Sequence, residues 1–314
     1  MVTRLISATT SELRAMNREE LFQSIKASEG RVIVSENVCV SATATDNTTN
    51  AELAAAFGAD MLLLNLFDCF NPVVIGLPGI GLAQAFDYWE NPSKNTRNPI
   101  AELKHLTGRL IGINLEPVAE TQETMSQKVE IGNGRKSTAA TFQAAEKLGV
   151  DYICLTGNPG TGVTNDQIAL AIQVGKANYN GLIIAGKMHS SGVDEPIMTK
   201  EAIQQFADAG ADILLLPAVG TVPGFDQAEL KEAVKMAKSL GMLTMSAIGT
   251  SQESASPETI RQIALWNKMC GVDLQHIGDA GYSGVAPCEN IYHMSVAIRG
   301  MKHTIQIMSR SINR

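Results

Sequence analysis

The chain has 314 residues, 45% of them hydrophobic and 18% charged, with a formal net charge of −7. That is ample material for a sizeable core, while the lack of a long basic run excludes nucleic acid, whose phosphates need clustered Lys and Arg. No apolar run is long enough to span a membrane.

The opening text, MVTRLISATTSELR, is too polar for a signal peptide. Cys39, Cys69, Cys154, Cys270 and Cys288 are scattered and form no CxxC pair. Reduced thiols in a cytoplasmic protein are therefore expected, not a disulfide framework or a zinc site.

Residues 11–29 predict an N-terminal helical cap. Asn17 with Glu20 makes a capping box, and Leu21, Phe22 and Ile25 give an apolar face. A structural repeat follows. A glycine sits at or just before each of eight apolar runs: Gly30, Gly58, Gly108, Gly149, Gly181, Gly210, Gly241 and Gly271. Four copies read almost alike: FGAD (57–60), LGVD (148–151), AGAD (209–212) and CGVD (270–273). A helix ending on a left-handed glycine, with a strand starting at once, explains the pattern.

The predicted strands are 31–38, 60–66, 109–115, 151–155, 182–186, 212–216, 242–248 and 272–277. They are short and mostly apolar on both faces, as buried parallel strands are. Amphipathic helices are predicted between them at 50–57, 137–148, 165–177, 200–209, 227–240 and 257–269, and an eighth from Tyr292 towards Arg314. Eight such units predict a single (β/α)8 TIM barrel, α/β in class, over 1–314 with 1–29 as its cap. A doubly wound open sheet is the alternative. Two connections are long, 67–107 and 116–136, and both leave the C-terminal ends of strands. They read as lid or substrate loops, or else as subunit contacts.

Barrel active sites gather at those strand ends. Glu116, Lys187 and His189 lie just past them and are the catalytic candidates. A Lys there can serve as a base or Schiff-base former once burial lowers its pKa; pairing with Glu116 or Asp68 is the structural alternative. Glu36, Asp68 and Asp279 are candidate ligands for Mg²⁺ or Mn²⁺, which prefer oxygen donors. Glu36 and His276 sit inside strands, so alternation decides whether they face inward. No nucleotide cofactor is expected.

Two Gly-rich regions suggest anions. VDYICLTGNPGTGVT (150–164) reads as strand, turn and helix start, with Asn158, Gly160, Thr161 and Gly162 around the anion, although glycine for turn geometry alone would look the same. The last two loops, 248–256 and 277–287, offer Gly249, Thr250, Ser251, Gly278, Gly281, Ser283 and Gly284 as a phosphate site, with Arg135 and Lys136 adding charge. Ordinary turn chemistry is the alternative.

The stretches TNAELAAAFGADMLLLNLFD (49–68), GRLIGINLEP (108–117), LTGNPGTGVTN (155–165) and GDAGYSG (278–284) resemble a bacterial family of barrels of undetermined activity. The resemblance covers nearly the whole chain, and such proteins are often labelled haloacid-dehalogenase-like hydrolases. The TG turn after strand four is more distantly similar to BtpA-like, phosphate-binding barrels. The resemblance implies a barrel. The label implies an Asp nucleophile in a DxDGT motif on a Rossmann-like fold. The nearest text, TDNTTN (45–50), has Asp46 and Thr48 but lacks the second Asp and the Gly.

The expected function is an enzyme acting on a small phosphorylated metabolite by proton transfer or carbon–carbon chemistry beside a carbonyl, as in isomerases and lyases. Glu116 or Lys187 would be the base and His189 the acid or polariser. Metal-assisted hydrolysis of a phosphate ester stays open, as does a non-catalytic ligand-binding or assembly barrel. A homo-oligomer through the polar face of the last helix is a further expectation.

Overall fold

The computed structural model describes residues 2–119, 122–125 and 127–314. Two short helices, α1 (Thr10–Ala15) and α2 (Arg18–Lys26), precede β1 (Val32–Val38). Then follow α3 (Asn50–Ala56), β2 (Met61–Asn65), α4 (Leu82–Glu90), α5 (Pro99–Thr107) and β3 (Leu110–Leu115). The chain continues through α6 (Ala139–Leu148), β4 (Tyr152–Leu155), α7 (Asn165–Asn178), β5 (Leu182–Gly186) and α8 (Lys200–Ala209). It ends with β6 (Ile213–Pro217), α9 (Gln227–Ser239), β7 (Leu243–Ile248), α10 (Pro257–Cys270), β8 (Leu274–Ile277) and α11 (Cys288–Met308). The strands run parallel in sequence order and close, β8 pairing with β1. This is a single (β/α)8 barrel, with no open sheet. No helix among the described residues is long and apolar enough to cross a membrane.

The expected helix opens at its capping box: Asn17 accepts from the Glu20 N–H at 3.0 Å while Glu20 accepts from the Asn17 N–H at 3.0 Å, and the short α1 precedes it. Leu5, Ile6, Leu13, Leu21 and Ile25 from this segment join one cluster with the barrel-interior residues Val32, Leu110, Leu182 and Leu274. The cap therefore plugs the N-terminal opening of the barrel. Each large apolar side chain it buries is worth roughly 1.5–3 kcal/mol.

The glycines preceding the strands are left-handed except Gly181. There space is the reason: a Cβ would lie 2.2 Å from the Tyr179 hydroxyl and 2.6 Å from the Asp151 carbonyl oxygen.

The aspartates of the four near-identical copies do a second job. Each opens an even strand and accepts the backbone N–H near the start of the preceding odd strand. Asp60 takes Ile33 N–H at 2.8 Å, Asp151 takes Ile111 N–H at 2.8 Å, Asp212 takes Ile183 N–H at 2.8 Å and Asp273 takes Thr244 N–H at 3.0 Å. Each also has a basic partner from a helix: Arg299, Lys104, Arg18 and Lys238 respectively. The N-terminal rim is thus stapled four times, at alternate strand pairs.

Strand alternation settles which side chains fill the barrel. Val32, Val34, Met61, Leu63, Leu110, Tyr152, Cys154, Leu274 and their equivalents form the inner cluster. Gly112 makes room for the Tyr152 ring, which a Cβ would meet at 2.2 Å. Two residues beyond the inward-facing positions Val34, Leu63, Gly112, Cys154 and Leu274, the same parity brings Glu36, Asn65, Asn114, Thr156 and His276 inward. These polar residues form the top layer beneath the C-terminal face of the barrel.

Candidate active site

A cavity of about 490 Å³ opens at the C-terminal ends of the strands. Its floor is formed by Glu36, Asn65, Asn114 and Thr156 of that layer, and its rim comes from the loops after β3, β4, β5, β7 and β8. A second cavity, about 440 Å³, lies at the opposite end beside Lys26, Lys238 and Lys268. Chemistry in barrels belongs to the C-terminal face, so the first cavity is the candidate.

Of the predicted residues, Glu36, Asn158, Gly160, His189, Gly249, Thr250, Ser251, Gly278 and Asp279 line this cavity. Glu36 is buried. Its Oε1 accepts from Asn114 Nδ2 at 2.5 Å, and its Oε2 lies 3.2 Å from His276 Nε2, in reach for charge attraction but off the hydrogen-bond direction. Asp279 Oδ2 accepts from Asn65 Nδ2 at 2.8 Å, and Asn65 and Asn158 exchange amide hydrogen bonds at 3.0 and 3.1 Å. Burial first, and then the Glu36 charge, push the Asp279 carboxyl up to about 7. His189 Nδ1 accepts from the Ser191 N–H at 3.0 Å, which puts the neutral ring's proton on Nε2. Burial lowers the pKa of His189, favouring that neutral form.

The other predicted catalytic residues are spent elsewhere. Glu116 is buried. Arg135 Nη2 donates to its Oε1 at 2.5 Å and the Asn158 N–H to its Oε2 at 2.9 Å, so it is a brace for the turn after β4 rather than a base. Lys187 is 0% exposed, off the cavity wall, and donates to Glu195 Oε1 at 2.7 Å. Neither expected carboxylate partner, Glu116 or Asp68, holds it. Burial lowers the Lys187 pKa while the Glu195 carboxylate opposes that shift.

Part of each predicted anion site is taken up by the chain itself. At the start of α7 the Asn165 N–H donates to Glu195 Oε1 at 2.9 Å, so the protein supplies its own anion to that helix N-terminus. Gly162 N–H donates to the Ser191 carbonyl at 3.0 Å, and the Thr161 hydroxyl turns back to the Asn158 carbonyl at 2.8 Å. Thr250 points its hydroxyl at the Thr221 carbonyl, 2.6 Å away. Gly281, Ser283 and Gly284 lie off the cavity and pack the last loop on the loop after β1. There the Ser283 carbonyl accepts from Ser41 Oγ at 2.7 Å and Asn50 Nδ2 at 2.6 Å. The predicted phosphate site is thus divided, and among the described residues no Lys or Arg lines the cavity.

Asp68 belongs to a turn: its Oδ1 accepts from the N–H groups of Phe70 and Asn71 at 2.8 and 3.0 Å. The expected set of Glu36, Asp68 and Asp279 does not converge. Among the described residues, no group of three His, Cys, Asp or Glu is placed to hold a metal ion. The expected Mg²⁺ or Mn²⁺ thus has no three-ligand site among the described residues.

Sequence reasoning missed Glu253, Met125 and Met188, all on the cavity wall, and the role of Glu195. Glu253 is buried in the loop after β7, accepts the Ala280 N–H at 2.9 Å through Oε1, and has its pKa raised chiefly by burial. Met125 comes from the long 116–136 connection, whose Met125 N–H donates to the Gly192 carbonyl at 2.8 Å. That connection reaches the cavity as expected, although its residues 120, 121 and 126 lie outside the described set. The 67–107 connection contributes nothing to the wall. Leu66, Ser191, Thr250 and Ser251 follow β2, β5 and β7 in left-handed conformations. Such backbone costs roughly 1 kcal/mol or more per residue and gathers at functional sites.

Lys187→Met is expected to cost about 2–3 kcal/mol in urea unfolding. That is at the low end for a broken buried pair because Glu195 keeps the Asn165 N–H and some solvent. A loss below about 1 kcal/mol would mean that the pair does not anchor the His189 loop.

A family model described as "Domain of unknown function (DUF7916)" matches residues 6–314, and the chain belongs to that family. No curated protein matches the sequence. Among solved structures, the chain is similar to an archaeal fructose-1,6-bisphosphate aldolase whose catalytic Lys is covalently bound to the carbinolamine intermediate of the substrate. The TM-score is 0.53 at 14% identity, over 89% of this chain and 98% of that one. A second archaeal fructose 1,6-bisphosphate aldolase structure gives 0.53 at 14% identity, over 90% and 99%. A 2,3-dimethylmalate lyase of the PEP mutase/isocitrate lyase superfamily gives 0.46 at 11% identity, over 86% and 81%. At 14% identity the likeness to the two aldolases establishes the barrel alone. The haloacid-dehalogenase-like label finds no support: the fold is a closed barrel, and Asp46 is an exposed loop residue.

Proposed function

We propose that the protein is an acid–base enzyme that moves a proton beside a carbonyl of a small polar molecule, as isomerases and lyases do. The reading is carried by one juxtaposition: Asp279 and a neutral His189 share the wall of one cavity at the catalytic face. Asp279, held near neutrality by burial and by Glu36, can carry a proton in either direction at physiological pH. His189, with its proton on Nε2, can donate to a carbonyl oxygen as negative charge develops there. Glu36 is held by Asn114 and acts on Asp279 through its charge. A covalent carbinolamine like that of the archaeal aldolase would need an accessible amine, and Lys187 is buried, paired and off the wall.

The test is hydrogen exchange. A panel of small keto and hydroxy compounds is incubated with the protein in D₂O, and loss of the proton next to the carbonyl is followed by NMR. Exchange is expected for some members, reduced roughly 10²–10⁴-fold by Asp279→Asn or His189→Gln. No exchange across the panel, or equal exchange in both variants, would overturn the reading.

A further inference from the structure

We infer that the substrate presents an ammonium group to the acidic wall that carries Glu36, Glu253 and Asp279; this rests on the reading that the C-terminal cavity is the active site. The wall is unbalanced in two ways. Among the described residues it carries three carboxylates and no Lys or Arg. It also carries buried polar atoms with no partner among the described residues: Glu253 Oε2, Asn114 Oδ1 and Thr156 Oγ1, on side chains 2%, 4% and 3% exposed. Two of these atoms can only accept, and the hydroxyl can accept as well as donate. A ligand that brings donors would satisfy buried acceptors of this kind.

The donor must also answer the charge. Phosphate or carboxylate on the substrate would add to the negative field. An alcohol brings one donor and no charge. An ammonium brings three N–H donors on one compact cation, and charge-assisted hydrogen bonds are stronger than neutral ones. Met125 and Met188 supply adaptable apolar wall for the carbon skeleton. His189 Nε2–H is then the donor for the substrate's carbonyl oxygen, so the two ends of an amino-carbonyl compound would find complementary partners. Asp279, raised by its neighbours' charge as well as by burial, would gain a counter-ion in the complex, and binding should tighten as it ionises.

The experiment is a thermal-shift titration of the whole protein in cacodylate buffer at pH 6 and pH 8, with ethanolamine, ethylene glycol and inorganic phosphate as probes. A ligand of the folded state raises the melting temperature by mass action. Ethanolamine is expected to raise it, more strongly at pH 8, with apparent affinity at least tenfold above that of ethylene glycol, and phosphate to leave it unchanged. Glu253→Gln should weaken ethanolamine about tenfold. Should that variant fail to fold, Asp279→Asn supplies the same comparison, because it too removes one of the three charges. Equal shifts from ethylene glycol, a shift from phosphate greater than that from ethanolamine, no shift at 100 mM ethanolamine, or undiminished binding in the variant would each overturn the inference. The outcome is separable from the exchange assay. Ethanolamine binding without exchange would sink the acid–base reading alone, and exchange of non-amine compounds without ethanolamine binding would sink the amine inference alone.

Discussion

Asp279→Asn is expected to make the protein more stable at pH 8, by at most about 4 kcal/mol, and little different at pH 4. The usual value of 3.8 is pushed up to about 7 in the folded chain, first by burial and then by Glu36. Between roughly pH 4 and 7 the folded chain therefore holds a proton that the unfolded chain has released. Stability falls as pH rises across that window, and the whole penalty is present above 7. An amide of the same shape carries no charge to penalise. Its Oδ1 can still accept from Asn65 Nδ2, and its NH₂ faces the acidic wall as a donor. Urea titrations of both proteins at pH 4.5 and pH 8 measure the difference. Equal stabilities at pH 8 would mean that Asp279 is ionised without strain, and the proton-transfer role would lose its basis. In the exchange assay the same substitution should abolish most activity. Gained stability with lost turnover is the mark of a group kept for chemistry at the fold's expense.

The barrel was legible because its physics is repetitive. Strands buried on both faces read as apolar runs, and glycine stops the preceding helix, so each strand start falls within a residue or two of expectation. Asp60, Asp151, Asp212 and Asp273 were visible as part of that punctuation. Their stapling role was not, because it depends on the N–H of a strand some 27 to 40 positions earlier. The site was legible only in part, for the same reason. Glu36 follows Val32 and Val34 in parity, so its inward direction comes from alternation. Glu116 and Lys187 have suitable chemistry at suitable positions. Each is neutralised by a partner brought in by loop conformation, Arg135 in one case and Glu195 in the other. Glu253, in a turn that reads as generic Ser-rich loop, becomes a wall residue only because that turn tucks under Ala280.

Arg299→Met is expected to cost about 3–5 kcal/mol, the largest loss among the four basic partners of the strand-opening aspartates. Arg299 and Asp60 are both 0% exposed as side chains, with Nη1 2.5 Å from Oδ2. The guanidinium also donates to the Gly58 carbonyl, to the Arg31 carbonyl at 3.1 Å and to Ser295 Oγ at 2.9 Å. Asp60 Oδ1 already lacks a partner, so removing the cation strands a buried carboxylate and two carbonyls together. The corresponding bases Arg18, Lys104 and Lys238 are 38%, 25% and 43% exposed, and water screens their pairs. Lys104→Met should therefore cost about 1 kcal/mol or less. Urea unfolding of the two variants decides the matter, and similar losses would show that burial does not set the value of these pairs here. Arg299→Lys should recover only part, since one ammonium cannot replace a planar fork reaching three elements. Asp60→Asn in the Arg299→Met background should recover more, by removing the stranded charge. The pair sits at the N-terminal ends of β1 and β2, and β1 carries Glu36 at its other end. A loosened seam should accordingly appear in the Asp279 titration, whose upward shift depends on where Glu36 stands.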